Sequence, residues 1–236
     1  MLTRRRFAAL GAVAAVSACA RPLPPTPTPP SPTPAALPVA PPPDPLPAFY
    51  GAITDEPFPI PALAPGSVPR ALWRQEVDNP FPQHRRGTII VDPDAAILHF
   101  VQSEARAMRY GVSVGADGFA WDGTARLQFT REWPRWKVPA EMIERQPELE
   151  PFSVANGGMD PGPGNPLGAR ALYLFQNGED TLYRIHGDAQ PRHLGQAVSS
   201  GCIRMLDHDV IDLHARSVHG ADVIVLPSLG AVSAVY

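Results

Sequence analysis

The chain has 236 residues and a formal net charge of −3, a length that allows one substantial domain with an appendage. The near-neutral charge argues against a nucleic-acid partner, which would call for a strongly basic surface. No apolar run reaches the roughly 18 residues of a membrane-spanning helix, so the sequence predicts none. The 31 prolines are far above the usual share and must be located before the fold is considered.

Residues 1–20 have the pattern of an export signal. Three arginines at positions 4–6 precede an apolar stretch over 7–16 and then small residues. The arginines also fit the twin-arginine export pattern, with an ordinary secretory signal as the alternative. Residues 16–19 (VSAC) resemble the bacterial lipoprotein cleavage box, which would leave a lipid on Cys19; ordinary cleavage near Ala20 is the other interpretation. We therefore expect an exported, periplasmic protein, anchored to the membrane if Cys19 is lipidated.

Residues 21–48 form a proline-rich linker. Fourteen of the 26 residues from 22 to 47 are proline, which leaves few amide donors and little apolar bulk. This composition predicts a disordered tether with extended polyproline character. At about 3.1 Å per residue it would reach on the order of 80 Å. Such a spacer would hold a folded domain away from a membrane and close to a cell-wall polymer.

The remaining chain divides into an extended N-terminal arm over 49–86 and a folded domain over 87–236. Apolar runs of strand length alternate with Gly, Pro and Asn-Gly turn signals, and few helical patterns separate them. The sequence therefore predicts a mainly β domain with one or two helices. The predicted strands cover 88–92, 96–101, 107–114, 125–132, 171–175, 181–186 and 222–226, and a Gly- and Pro-rich loop covers 156–168. The predicted helices cover 139–145, with Pro139 at the first helical position, and 207–218, with Asp207 as the cap.

Cysteine usage singles out Cys202. Because Cys19 lies in the export signal, Cys202 is the one thiol of the predicted mature domain and a candidate nucleophile. The alternative is a buried structural cysteine. The neighbours favour the nucleophile, since Gly201 permits a sharp turn or a close approach by substrate, and Ser199 and Ser200 are small and polar.

His186 and Arg204 supply the other candidate groups. In a strand over 181–186, Tyr183 and Ile185 would face the core, so His186 would project to the more polar side at the strand end. An imidazole that accepts the thiol proton makes a cysteine reactive. Arg204 offers a planar fork suited to a carboxylate. The histidines and the cysteine show no short ligand spacing, so we predict no metal and no cofactor.

The run IHG, eleven further residues and then SSGCIR resembles the signature of the L,D-transpeptidase catalytic domain family (YkuD type). The segments GTIIVD, EWPRWKVPAEMIERQPEL and GADVIVL extend the resemblance over residues 70–226. It implies a β-sandwich-like fold with a helix beside the cysteine. It also implies that Cys202 is the nucleophile, His186 the base, and the Gly187 carbonyl the group that orients the imidazole.

The resemblance further implies substrate contacts from Ser199, Ser200, Gly201 and Arg204. Many family members carry histidine at the position of Ser200 and asparagine at that of Arg204. Neither departure removes the cysteine and histidine, but both leave the donor-site contacts and the acceptor open.

The activity that the resemblance implies is acyl transfer on peptidoglycan stem peptides. The thiol would attack the carbonyl of meso-diaminopimelate at the third position and release the terminal D-Ala. An amine would then accept the acyl group, either another diaminopimelate in a 3→3 cross-link or an envelope lipoprotein. Two alternatives stay open: a hydrolase of the same fold that gives the acyl group to water, and a non-catalytic wall-binding lipoprotein.

Overall fold

The computed structural model describes residues 44–115, 121–199 and 201–228. The predicted export signal, Cys19, most of the proline-rich linker and Ser200 lie outside these ranges. The strands are β1 Gln75–Asp78, β2 Ile89–Asp92, β3 Ile97–Val101, β4 Arg106–Gly111, β5 Val114–Gly115, β6 Gly123–Glu132, β7 Arg170–Gln176, β8 Glu179–His186, β9 Ala197–Ser199, β10 Ile203–Arg204 and β11 Asp222–Val225. The α-helices are α1 Ala140–Arg145 and α2 Asp207–Arg216, and 3-10 turns cover Ala48–Tyr50, Arg70–Leu72, Pro147–Phe152 and Pro191–His193. The predicted mainly β fold with one or two helices is confirmed.

Nine strands form one sheet in the spatial order β1-β4-β3-β2-β11-β6-β7-β8-β10, and β5 pairs with β9 in a separate two-stranded sheet. All neighbours in the large sheet are antiparallel except two pairs, β2 with β11 and β8 with β10. Ser113, just after β4, exchanges two backbone hydrogen bonds with Arg204 in β10, of 2.8 and 2.9 Å. The β4 end and the β10 end of the sheet are therefore tied together.

The core lies where the apolar runs of the sequence meet. Residues 89–91 of β2 are completely buried, which is why that strand is a continuous apolar run rather than an alternating one. Val210 and Leu213, one helical turn apart on α2, join the same cluster together with Ile185 and Ile203. Helix α2 packs against the part of the sheet that contains β7 and β8.

Three local features differ from the sequence-based expectation. Helix α2 starts at Asp207 and ends at Arg216, and its N-cap, Leu206, makes no side-chain hydrogen bond. Asp207 does not cap the helix because its carboxylate accepts backbone N–H groups from other segments. Pro139 is the N-cap of α1 rather than its first residue. Leu182 has a φ of +62°, an irregularity in β8, so strict alternation along that strand holds only after it.

The N-terminal arm packs on the domain through both apolar and charged contacts. Tyr50 and Val68 are buried in a cluster with Ala189, Leu194 and Leu206. The sheet itself begins before the predicted start of the folded domain, because β1 pairs with β4. In the described ranges, no helix is both long and apolar enough to cross a membrane.

A buried ion pair connects the arm to β7. Glu56 Oε1 lies 2.6 Å from Arg170 Nη2, and Glu56 Oε2 accepts hydrogen bonds from Arg170 Nη1 at 3.0 Å and from Trp133 Nε1 at 2.7 Å. The Arg170 side chain is 7% exposed and that of Glu56 is 13% exposed. Removing one partner would leave a buried charge without its main counterion.

We predict that Glu56→Ala lowers the free energy of unfolding by about 3 kcal/mol, because Arg170 stays buried and keeps only the exposed carboxylate of Glu132, 3.9 Å away, as a counterion. Urea unfolding of both proteins measures the difference. The matched control is Asp44→Ala, which breaks an ion pair with Arg70 in the same arm but at an exposed position. This control should change stability by no more than about 0.5 kcal/mol. Equal stability of Glu56→Ala and the native protein would contradict the prediction.

Candidate active site

The pairing of β10 with the end of β8 brings the candidate residues together. In this parallel pair Ile203 is opposite Ile185, and Arg204 is opposite His186. The two isoleucines face the core, so Arg204 and His186 share the opposite face, and Cys202, two residues before Arg204, lies on that face too. The separation of sixteen residues between His186 and Cys202 is closed by the loop between them.

His186 is held in one orientation. It is 3% exposed, and its Nδ1 lies 3.0 Å from the Gly187 carbonyl oxygen, the contact that the sequence predicted. A carbonyl oxygen only accepts hydrogen bonds, so Nδ1 carries the proton and Nε2 retains its lone pair. The backbone carbonyl of His186 accepts a hydrogen bond from Met205 N at 2.8 Å, which fixes the main chain as well.

The imidazole is neutral near pH 7. Burial and, to a smaller extent, the Arg204 guanidinium lower the pKa of His186 to about 3, while the carbonyls of Gly187 and Pro166 act in the opposite direction. A buried, uncharged ring with an unprotonated Nε2 can accept a proton from a nearby thiol.

Cys202 is a partly exposed thiol at a turn. Gly201 has a φ of +117°, in the region that favours glycine, so the predicted sharp turn before the thiol is present. Burial raises the pKa of the Cys202 thiol; the backbone N–H and guanidinium of Arg184, together with Arg204, oppose this only in part. The resting site is therefore a neutral thiol beside a neutral imidazole rather than an ion pair.

Cys202 lies in the wall shared by two pockets. The first, here called the histidine pocket, has a volume of about 290 Å³ and is lined by Trp136, Met142, Gln146, Leu149, Pro166, Leu167, His186, Cys202 and Arg204. The second, the bulge pocket, has a volume of about 320 Å³ and is lined by Arg135, Trp136, Lys137, Pro139, Met142, Val154, Leu167, Tyr173, Asp180, Leu182, Arg184 and Cys202. A group bound in either pocket can reach the thiol.

Cationic side chains line both pockets. Arg204 faces the histidine pocket, and its Nε is buried without a hydrogen-bond partner in the structure. In the bulge pocket, Arg184 forms a two-point ion pair with Asp180, with both N–O distances at 2.7 Å, and stacks over Tyr173 at 4.4 Å. Arg135 in the same wall pairs with Asp160. Arg184 and Arg135 are thus already paired with carboxylates, and Arg204 is the one of these three arginines with a hydrogen-bonding group to spare for a carboxylate of a ligand.

The structure places the other predicted residues as follows. Ser199 ends β9 and is paired with Gly115 of β5, and Ser200 lies outside the described residues. The predicted loop over 156–168 reaches the site, since Pro166 and Leu167 line the histidine pocket. In the described part of the chain, no group of three or more His, Cys, Asp or Glu residues could hold a metal ion.

Sequence reasoning missed Met142, Gln146 and Leu149 as wall residues. They come from α1 and the 3-10 turn after it, and they lie in the histidine pocket. The helix itself was predicted, but nothing in its short sequence indicates which part of the domain it covers. Trp136 lines both pockets, whereas Trp133 packs against Phe58 of the arm.

The fold and the pocket define a mainly β protein with a cysteine and a buried histidine at one site, and comparison with known proteins gives its family. Residues 86–225, more than half of the chain, match the family model described as the L,D-transpeptidase catalytic domain (YkuD). The chain belongs to this family, and the resemblance seen in its sequence is confirmed.

Individual relatives agree with this assignment. A Bacillus licheniformis protein named L,D-transpeptidase YkuD is 42% identical over 118 residues, which cover 50% of this chain and 66% of that protein. A Fuscovulum blasticum protein, named as an L,D-transpeptidase in the region of the ATP synthase subunits, is 27% identical over 143 residues, 60% of this chain and 68% of that protein. The chain thus spans about two thirds of the length of these relatives.

A solved structure from Brucella melitensis is also similar to this chain. It is named as a carnitine operon oxidoreductase, is 45% identical, and matches 67% of this chain and 95% of that chain with a TM-score of 0.45. The name describes that protein, and at this TM-score the likeness carries no argument about function.

We predict that Cys202 shows no thiolate absorbance at pH 7 and gains it only above the ordinary thiol pKa of 9.0, because burial raises that pKa. A pH titration of the ultraviolet thiolate band, with the spectrum of Cys202→Ser subtracted, makes the measurement. A thiolate already formed at about pH 6 would instead indicate an ion pair with His186 and would contradict the prediction.

Proposed function

We propose that this protein is a peptidoglycan L,D-transpeptidase in which Cys202 is the nucleophile and His186 is the general base. The observation that carries the proposal is the position of Cys202 in the wall between two pockets, one of which contains the oriented imidazole. Transfer requires a donor and an acceptor at one sulfur atom, and two adjoining pockets provide room for both.

In the first half-reaction the thiol proton passes to His186 Nε2 as Sγ attacks the carbonyl of meso-diaminopimelate at position 3 of a tetrapeptide stem. The C–N bond to the terminal D-Ala then breaks, and the imidazolium returns the proton to the leaving amine. The products are a thioester on Cys202 and free D-Ala. The turn at Gly201 makes the backbone N–H groups beside the thiol the candidate donors to the oxyanion.

In the second half-reaction the amine of a second diaminopimelate attacks the thioester. His186 accepts a proton from this amine, the C–S bond breaks, and the thiol is regenerated as the new amide forms. The net result is a 3→3 cross-link, and the cross-linked dimer contains one D-Ala fewer than the two stems that entered.

The charges at the site match this substrate class. Stem peptides carry several carboxylates, and Arg204 in the histidine pocket is placed to attract one of them. The Nε of Arg204 has hydrogen-bonding capacity to spare in this structure. Burial, with the Arg204 guanidinium as a smaller contribution, lowers the pKa of His186 and so keeps the imidazole unprotonated at neutral pH.

The test is mass spectrometry of the products from a disaccharide-tetrapeptide that contains diaminopimelate. We predict a dimer lighter by one alanine, and no dimer with Cys202→Ala or His186→Ala. Arg192→Ala serves as a matched control. This exposed residue lies on the loop between His186 and Cys202 but outside both pockets. A tripeptide and free alanine without dimer would contradict transfer and favour the hydrolase. Dimer formation by Cys202→Ala would contradict the choice of nucleophile.

We also propose that the protein works outside the cytoplasm on a lipid anchor at Cys19. The support is the arginine-led apolar stretch, the VSAC box and the proline-rich linker of the sequence. Fractionation of cells that express the full chain or Cys19→Ala tests this. The native chain should be in the membrane fraction and the variant should not; an identical distribution would contradict the anchor.

A further inference from the structure

The peptide unit between Gly187 and Asp188 is hydrogen-bonded at both ends. Its carbonyl oxygen accepts the hydrogen bond from His186 Nδ1, at 3.0 Å. Its N–H group, which belongs to Asp188, donates to Asp207 Oδ1 at 3.2 Å. A continuous line of hydrogen bonds therefore runs from the imidazole through one peptide group to a carboxylate on α2.

Asp207 is itself firmly placed. Its Oδ1 also accepts a hydrogen bond from Ala169 N, just before β7, at 2.8 Å. The residue is the first of α2, where the helix dipole favours a negative charge. Two residues separate it from the end of β10. One oxygen atom thus connects the start of α2 with the chain before β7 and the turn after β8.

The room for this carboxylate explains two glycines. A Cβ on Gly187 or on Gly168 would run into Asp207 Oδ1. The backbone of Gly187 is not in the left-handed region, so it is space for the carboxylate, rather than conformation, that demands glycine there. Gly168 has a φ of +62°, and a Cβ there would also meet Asp188 N, so at that position conformation and space both favour glycine.

Hydrogen bonds in such a line strengthen each other. A carboxylate that accepts from the N–H of a peptide increases the negative charge on the carbonyl oxygen of that peptide, which then holds its own donor more firmly. Asp207 would thereby keep His186 with its proton on Nδ1 and its lone pair on Nε2. In the Ser-His-Asp arrangement the carboxylate contacts the histidine directly, whereas here a peptide group lies between them.

We propose that Asp207 is a positioning residue of this site, which orients His186 through the Gly187–Asp188 peptide. The inference rests on the proposed role of His186 as the base for Cys202. It assigns to Asp207 the part that a triad carboxylate plays, with the hydrogen-bond acceptor oxygen as the essential feature.

Asp209 is a natural control for this role. It lies in the first turn of the same helix and is completely buried, but it accepts a hydrogen bond from Tyr50 Oη of the arm, at 3.1 Å, and pairs with Arg74. Its loss should weaken the docking of the arm and lower the melting temperature without affecting the imidazole.

The experiment compares Asp207→Ala, Asp207→Ser, Asp207→Asn and Asp209→Asn in the full chain. Two readouts need no peptidoglycan substrate: the rate of Cys202 alkylation by iodoacetamide at pH 7, and the ring tautomer of His186 by nitrogen NMR. We expect Asp207→Ala and Asp207→Ser to alkylate about tenfold more slowly and to lose the preference for a proton on Nδ1. Asp207→Asn, whose side-chain oxygen still accepts both N–H groups, should stay close to the native rate, as should Asp209→Asn.

Three outcomes would overturn the proposal. The first is a native alkylation rate and a native tautomer in Asp207→Ala or Asp207→Ser, the variants with a shortened side chain. The second is an Asp207→Asn variant that is alkylated as slowly as these two. The third is an equal slowing of alkylation in Asp209→Asn. If Asp207→Ala does not fold, Asp207→Ser serves as the variant with a shortened side chain. Because alkylation and tautomer do not depend on turnover, a failed transpeptidase assay would count against the proposed function and leave this result standing. Where turnover is measured, Asp207→Ala and Asp207→Ser should lower kcat and leave KM nearly unchanged.

Discussion

The two-residue pairing of β10 with the end of β8 is the constraint on which the site depends. Parallel strands present opposite residues on the same face, so placing Ile203 against Ile185 in the core forces His186 and Arg204 to share the other side. So short a pairing could not persist alone. It is held by the hydrogen bonds between Arg204 and Ser113 on one side and by Met205 N to the His186 carbonyl on the other. The hydrophobic core thus sets the geometry of the polar site.

The electrostatics of the site follow from that burial. Taking an imidazole and a thiol out of water disfavours their charged forms, and Arg204 adds repulsion against an imidazolium. In this account the pair rests uncharged, and the proton moves only when a carbonyl is in place for attack. Arg204, the smaller contributor after burial, is also the residue that the proposed function assigns to a substrate carboxylate.

Many strands and the main candidate site residues could be predicted from the sequence, because the patterns that mark them lie within short segments of the chain. Strands such as β2 and the β7–β8 hairpin are marked by apolar runs and by the Asn177-Gly178 turn, whose residues both have positive φ. Cys202, His186 and Gly187 were found because they are close in sequence and form a recognisable motif. The wall from α1 and the partners of Asp207 could not be predicted, because they depend on which distant segments meet. Asp207 looked like a helix cap, and only the fold shows that its carboxylate is turned toward Ala169 and Asp188 instead.

The central claim is that Cys202 carries the acyl group between two substrates. Peptide mapping by mass spectrometry tests it most directly, after incubation with a tetrapeptide donor whose diaminopimelate side-chain amine is acetylated, so that it cannot act as acceptor, and a quench in acid. The account predicts an adduct on the peptide that contains Cys202, with the mass of the donor after loss of D-Ala and the lability of a thioester. Release of D-Ala with no adduct on Cys202, or an adduct on another residue, would contradict it.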